Sequence, residues 1–328
     1  MPGLECPKLE MTQSMNVVFH YEAGPGLEAQ LTRLEAKGLK VSVCPEADHT
    51  RFGELMVEAE VLWHLLEPLT AKMIAAAPKL RLIQKIGVGV NTIDLEAAKH
   101  RGIPVCNMPG TNSQAVAEMT LLLMLATLRR LTQLDGATRS GKGWALPAAW
   151  QDHYGELAGR TVGLIGYGAV PSRLAPVLKA MGASVIYASR TAKSQAVGER
   201  RSLEELLTES DLVSLHVPLT AGTEKLINAK TLGMMKTGAI IINSARGGLI
   251  DEKALCHALT VGRVGAAGLD VFPKEPVPGS SPLFQFENVV LAPHVAWLTN
   301  ETMERSIGLA VENCRRLVSG GPLLHQVV

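Results

Sequence analysis

No two cysteines of the chain stand close together in sequence. Its five, Cys6, Cys44, Cys106, Cys256 and Cys314, are odd in number and scattered, with no CxxC spacing of the metal-binding or redox kind. That excludes a disulfide scaffold and a zinc module, leaves no metal site to expect, and points to free thiols in a reducing cytoplasm. Excess charge of one sign is also missing: 32 Lys and Arg face 31 Asp and Glu, a net charge of +1, with no long run of either. Nothing here calls for nucleic acid, an anionic membrane or a polyanionic partner. Long apolar runs are absent as well. Leu121 to Leu128 is too short for a membrane span and is flanked by Glu118 and Arg129-Arg130, and the N-terminus (MPGLECPKLEMTQSM) lacks the apolar core of a signal peptide. Residues 1–14 read as a loose leader. There is no internal repeat and no low-complexity segment.

What is present is apolar and punctuated by glycine. At 328 residues, 47% hydrophobic and 19% charged, the chain is long enough for two cored domains. Thr161 to Thr191 (TVGLIGYGAVPSRLAPVLKAMGASVIYASRT) reads as strand, glycine turn, helix and second strand, the arrangement that holds a dinucleotide pyrophosphate. Gly166 and Gly168 clear the path to a helix N-terminus, beginning at Ala169 and Val170, whose unpaired N–H groups and dipole favour an anion. Two members of the usual fingerprint are missing. Pro171 replaces the third glycine, which a first helical turn tolerates. At the tip of the second strand, Ser189, Arg190 and Thr191 stand where an acid usually binds the ribose hydroxyls. That trio suits a 2′-phosphate, so NADP(H) is favoured and NAD(H) remains possible; the plainer reading of Arg190 is an exposed loop cation.

Short apolar runs precede the turn at Val17 to His20, Leu39 to Cys44, Val61 to Leu66, Leu80 to Ile86 and Ile103 to Cys106, with helix-like stretches such as Leu27 to Lys37 and Ile93 to His100 between them. They read as strands of a separate parallel α/β domain. After the turn, runs at Val185, Leu212, Ala239, Val264 and Val289 join the strand at Val162 to make six, a complete doubly wound sheet. The helix predicted over Val116 to Leu131 is apolar around its circumference, and serves as a buried interdomain helix or a subunit interface. A last helix, Asn300 to Leu317, crosses back to the first domain. The expected division is therefore 1–108 with 300–328 as a discontinuous, flavodoxin-like substrate-binding domain, and 109–299 as the dinucleotide-binding domain, both Rossmann-like α/β units.

Polar residues just beyond apolar strands are the candidates for chemistry, because strand ends in such sheets face the ligand. Arg246 follows the strand at Ala239 in a glycine-flanked loop, where a guanidinium can pair both oxygens of a carboxylate. Asp270 ends the next strand, Glu275 follows it, and His294 closes the last. A Glu275–His294 hydrogen bond fixes the ring's tautomer and favours imidazolium, an acid able to protonate a carbonyl as hydride arrives. Singly, each residue has a structural alternative: a loop cap, a solvated acid, a satisfied histidine.

From about Ile86 onward the chain resembles the D-isomer-specific 2-hydroxyacid dehydrogenases. The residues that carry the likeness are VGVNTIDL (Val88 to Leu95), NMPGTNSQAVAE (Asn107 to Glu118), the glycine turn, HVPLTAGT (His216 to Thr223), INSARGGLID (Ile242 to Asp251), GLDVFPKEP (Gly268 to Pro276) and APHVAWLT (Ala292 to Thr299). The resemblance implies that Arg246 binds the substrate carboxylate together with the backbone of Val88 and Gly89, that His294 is the acid/base and that Glu275 orients and charges it. It implies a cofactor lined by His216, Val217, Pro218 and Thr223 on the adenosine side and bordered by Asp270 on the nicotinamide side, with Ser244 and Ala245 among the cofactor-binding residues. A homodimer formed through the segment after Asn112 is expected on the same ground. Glu275 stands where related formate dehydrogenases carry Gln, which speaks against formate; Asn91 and Lys85 replace the usual Asp and Arg. Trp297 is read either as a pocket wall excluding long side chains or as interdomain packing. The expected activity is reduction of a small 2-ketoacid of the glyoxylate or hydroxypyruvate class by NAD(P)H, after closure of the two domains. The alternatives are a dehydrogenase for D-lactate or another 2-hydroxyacid, and a dinucleotide-sensing corepressor.

Overall fold

The computed structural model describes residues 14–328, so Cys6 and all of the leader but Ser14 lie outside the described residues. The chain divides into two compact units, one running to Thr111 and resuming at Thr299–Val328, the other Asn112–Leu298.

In the first unit, β1 (Met15–His20), β2 (Leu39–Cys44), β3 (Val61–His64), β4 (Leu82–Lys85) and β5 (Val105–Cys106) form one parallel sheet ordered β2-β1-β3-β4-β5. β3, β4 and β5 are buried throughout and β1 at five of its six residues, as expected when helices cover both faces, whereas the edge strand β2 is buried only at Leu39 and Cys44. Helix Leu95–His100 starts at the Asp94 cap, whose carboxylate accepts the Ala97 N–H at 2.9 Å. Helix Asn300–Ser319 starts at Thr299, ends at left-handed Gly320, and joins this unit through Asn313, which donates to Gln84 Oε1 at 2.6 Å. The stretch Leu27 to Lys37 is an α-helix, Pro25–Thr32, that tightens into a 3₁₀ turn over Arg33–Lys37.

A buried polar row crosses this sheet's carboxyl edge: His20 pairs in register with His64, and His64 with Lys85. His64 Nε2 donates to the Glu67 carbonyl at 2.6 Å; Lys85 donates to the Leu65 carbonyl and to Thr92 Oγ1, with His64 Nδ1 3.4 Å away. His20 is 2% exposed, stacks on Phe52 and has neither ring nitrogen hydrogen-bonded. Burial, with His49 adding to it, pushes its pKa down from 6.5 to about 4. His20 is thus neutral in the folded chain, while the unfolded chain takes up its proton near pH 6.5. Stability conferred by the neutral ring is present above that pH and is lost on acidification toward pH 4, by up to about 3 kcal/mol at 1.36 kcal/mol per pK unit. Urea titrations at pH 7.5 and 5 should show a smaller drop in His20→Phe than in the parent chain; equal drops would contradict this assignment.

The second unit holds β6 (Thr161–Ile165), β7 (Ser184–Ala188), β8 (Glu199–Arg200), β9 (Leu212–Leu215), β10 (Ala239–Asn243), β11 (Val264–Leu269) and β12 (Val289–Leu291), all parallel and ordered β12-β11-β10-β9-β6-β7-β8. The sheet has seven strands rather than six. The addition is β8, two exposed polar residues paired to Ile186 and Tyr187, which form no apolar run. The apolar helix spans Ser113–Leu128, not Val116 to Leu131, because Arg130 adopts a left-handed backbone (φ 49°) and a new helix begins at Leu131. It packs on β10, β11 and the helix Ala169–Ala180, so its apolar surface is largely spent inside this unit, with Leu122 left half exposed. No helix among the described residues is long and apolar enough to cross a membrane.

Candidate active site

The strand order of the second unit reverses between β6 and β9, and such a switch point opens a crevice at the carboxyl edge. Register pairs put Leu291, Leu269, Asn243, Leu215, Ile165 and Ala188 at one level across six neighbouring strands. That edge spans about 24 Å at ~4.8 Å per strand. The candidate residues sit just beyond it, in three groups.

At the β12 end, Arg246, Asp270, Glu275, His294 and Trp297 come together. His294 Nδ1 lies 2.6 Å from Glu275 Oε2, and Glu275 Oε1 accepts the Phe272 N–H at 2.8 Å. The ring must therefore hold a proton on Nδ1, which leaves Nε2 for chemistry. About a fifth of the His294 side chain and a third of Glu275 remain accessible. Burial pushes the Glu275 carboxyl up, but the His294 bond and charge, the Phe272 N–H and the charge of Arg246 outweigh it and hold it below the ordinary range. Arg246 is half-buried, and burial lowers its pKa against the opposing charge of Glu275; a guanidinium is basic enough to stay charged.

The backbone around these groups is tightly specified. Asn243 Nδ2 donates to the Arg246 carbonyl at 2.9 Å and its Oδ1 accepts the Ala245 N–H at 3.0 Å, closing the loop that carries the guanidinium. Gly247 packs flat on Phe272 and Pro273: a Cβ there would stand 1.9 Å from the Phe272 carbonyl carbon. His294 itself is left-handed (φ 56°), a conformation that disfavours most side chains. Four bonds hold it there, the first from the His294 N–H to the Asp270 carbonyl at 2.7 Å. Asp270, 1% exposed, accepts the Val295 and Ala296 N–H groups at 2.9 Å each, and the Trp297 indole donates to the His294 carbonyl at 2.9 Å. The Asp270 carboxylate and the Trp297 indole N–H are thus spent on shaping the histidine turn. Ser244 bonds Thr120 Oγ1 at 2.7 Å, tying the same loop to the apolar helix. Asn243, Thr120 and the Phe272 N–H escaped the sequence reading, although Asn243 lies inside a quoted motif.

The middle group surrounds the switch point. Gly166 has φ 99°, and a Cβ on it would lie 2.4 Å from the His216 carbonyl oxygen, so only glycine fits. Gly168 caps the helix Ala169–Ala180 without a side chain, and a Cβ there would meet nothing within 4 Å. Ala169 and Val170 therefore carry first-turn N–H groups before open space, with buried Pro171 contributing none. That cradle suits a pyrophosphate. His216 bonds Ser214 Oγ at 2.9 Å, and burial pushes its pKa down to about 3, leaving a neutral ring. Thr223 Oγ1 donates to the Pro218 carbonyl at 2.6 Å and accepts the Thr220 N–H, closing the loop after Val217.

The third group, Ser189, Arg190 and Thr191, lies beyond β7; Ser189 Oγ donates to the Thr191 carbonyl at 2.6 Å. Val88 and Gly89 belong to the other unit, in the loop after β4, where the Val88 carbonyl accepts from Asn107 Nδ2 at 2.9 Å. Among the described residues, no cluster of His, Cys, Asp or Glu is placed to hold a metal ion.

Comparison with known proteins adds to this geometry. Residues 121–296 match the family signature described as D-isomer specific 2-hydroxyacid dehydrogenase, NAD binding domain. The chain is 42% identical over 271 residues to a glyoxylate reductase of Aeropyrum pernix, covering 80% of this chain and 81% of that one. It is 31% identical over 303 residues to a hydroxypyruvate reductase of Blautia hydrogenotrophica, covering 88% and 94%. Among solved structures, the TT0316 protein of Thermus thermophilus superimposes with a TM-score of 0.86 at 36% identity, over 96% of this chain and all of that one.

Proposed function

The chain belongs to the D-isomer-specific 2-hydroxyacid dehydrogenases, and from that premise we propose that it reduces glyoxylate, hydroxypyruvate or a similarly small 2-ketoacid to the 2-hydroxyacid. The observation that carries the chemistry is the 2.6 Å Glu275–His294 bond beside a charged, half-buried Arg246. The second unit is the coenzyme-binding one, and the cofactor is a nicotinamide dinucleotide. Gly166, Gly168, Ala169 and Val170 hold its pyrophosphate; His216, Val217, Pro218 and Thr223 line its adenosine half.

Bound there, the dinucleotide supplies hydride to the keto carbon. Arg246 pairs with the substrate carboxylate and fixes the carbonyl's orientation. His294 Nε2 donates its proton to the carbonyl oxygen as charge develops there, and Glu275, kept ionised, orients the ring throughout. In the reverse direction the neutral ring takes the hydroxyl proton. Asp270 and Trp297 act on this step through the histidine turn. Ser189, Arg190 and Thr191, in place of a ribose-binding acid, favour NADPH. Exposed Leu122, Leu131 and Trp144 in the segment after Asn112 are the surface through which two copies associate.

The test is an activity screen over small 2-ketoacids with both coenzymes. Turnover of glyoxylate or hydroxypyruvate with at least tenfold higher kcat/KM for NADPH is expected. Equal use of NADH removes the coenzyme assignment alone; tight dinucleotide binding with no turnover removes the reductase assignment.

A further inference from the structure

The strand absent from the sequence reading, β8, brings an arginine back to the coenzyme loop. Arg200 pairs in register with Tyr187, and its guanidinium turns along the edge of the sheet: Nε and Nη2 donate to the Ser189 carbonyl at 3.3 and 3.0 Å, and Nη2 also reaches the Arg190 carbonyl at 3.2 Å. One planar group thus spans two successive carbonyls of the loop that begins where β7 ends. Its neighbour does something else, since Arg201 is committed to Glu199 and Glu209.

The remainder of the loop is anchored to the glycine turn. Tyr167, the residue between Gly166 and Gly168, accepts the Val197 N–H on its hydroxyl at 2.7 Å and donates to the Val197 carbonyl at 3.3 Å. Tyr187 accepts the Lys193 N–H at 3.3 Å, and the two tyrosine rings pack with centroids 4.6 Å apart. Residues 189–200 are therefore tied to the pyrophosphate cradle at one end and clamped by Arg200 at the other. Among the described residues, Arg190, Lys193 and Arg200 make no ion pair, and Glu199, the acid of this stretch, pairs with Arg201 instead, so these cations are not neutralised by a carboxylate of their own loop. A loop built this way presents Arg190 at low conformational cost, and the loss of rotamer and backbone freedom on binding is what preorganisation avoids.

We propose that Arg200 is a positioning residue for coenzyme selection, holding Ser189, Arg190 and Thr191 in the arrangement that receives a 2′-phosphate. This rests on the reading of those three residues as the 2′-phosphate site. Arg200 acts through the loop, and a guanidinium fork suits it because a single ammonium on a shorter stem does not span both carbonyls.

Calorimetric titration of the full chain with adenosine 2′,5′-bisphosphate and with adenosine 5′-monophosphate tests it without turnover. The parent should prefer the bisphosphate, and Arg190→Ala should abolish that preference. Arg200→Met should weaken the bisphosphate about tenfold, the scale of one charge-assisted contact, while the monophosphate changes less than twofold; Arg200→Lys should recover only part of the loss. A parent preference that Arg200→Met leaves intact, a full recovery by Arg200→Lys, or equal weakening of both ligands overturns the inference and spares the coenzyme reading. A parent that does not discriminate between the ligands overturns both.

Discussion

Replacing His294 by alanine lowers kcat for 2-ketoacid reduction about a thousandfold and leaves dinucleotide affinity within a few-fold of the parent. The magnitude follows from removing a positioned general acid, which contributes 10²- to 10⁴-fold in typical enzymes. The site makes the loss hard to replace, because the Glu275 carboxylate is then left facing space with no ring to orient. Alanine also carries a conformational cost, since position 294 is left-handed at φ 56°. Asparagine accepts that conformation but cannot serve as an acid, so His294→Asn separates the two effects. Single-turnover reduction should be equally slow in both variants, whereas thermal stability should fall mainly in the alanine variant. Near-parent rates in either one would remove His294 as the acid.

Arg246→Lys is the second large effect, a loss of about a hundredfold or more in kcat/KM for the ketoacid. Charge is kept, so the loss measures geometry. A guanidinium offers two parallel N–H groups to a carboxylate, each charge-assisted bond worth ~1.5–3 kcal/mol, and an ammonium offers a point charge. The surrounding loop cannot adjust, because Asn243 fixes the Arg246 carbonyl at 2.9 Å and Gly247 lies against Phe272 with no room for a side chain. Both KM and kcat should worsen, the first from lost affinity and the second from a carbonyl no longer aligned with His294. Steady-state kinetics at saturating coenzyme, with an unchanged thermal midpoint as control, check it; parent-like kcat/KM would show that the carboxylate is held elsewhere.

Much of the fold can be read from the chain because parallel strands covered on both faces must be short apolar runs, and Val17, Leu39, Val61, Ile103 and their counterparts after Gly166 are such runs. The parts that cannot be read depend on backbone conformation. Glu199–Arg200 has no apolar signal and becomes a strand by pairing with the edge of β7, with the Arg200 guanidinium bonded to the Ser189 and Arg190 carbonyls. The helix from Ser113 stops at Leu128 because of the left-handed Arg130, which no capping residue announces. The candidate site divides the same way. Arg246, Glu275 and His294 stand out as polar residues beyond apolar runs, but their proximity follows from the register of β10, β11 and β12, which sequence spacing does not state. Asp270 and Trp297 stand out too, yet their hydrogen bonds go to the backbone of 294–296, a closure visible only in three dimensions.

The measurement that bears most directly on the proposed chemistry is reduction of hydroxypyruvate with coenzyme carrying deuterium at the transferring position, followed by chiral separation and mass analysis of the glycerate. Direct hydride transfer on a D-specific scaffold, with His294 supplying a solvent-derived proton to oxygen, predicts D-glycerate bearing one deuterium on C2. L-glycerate, or product with no deuterium on carbon, would contradict it.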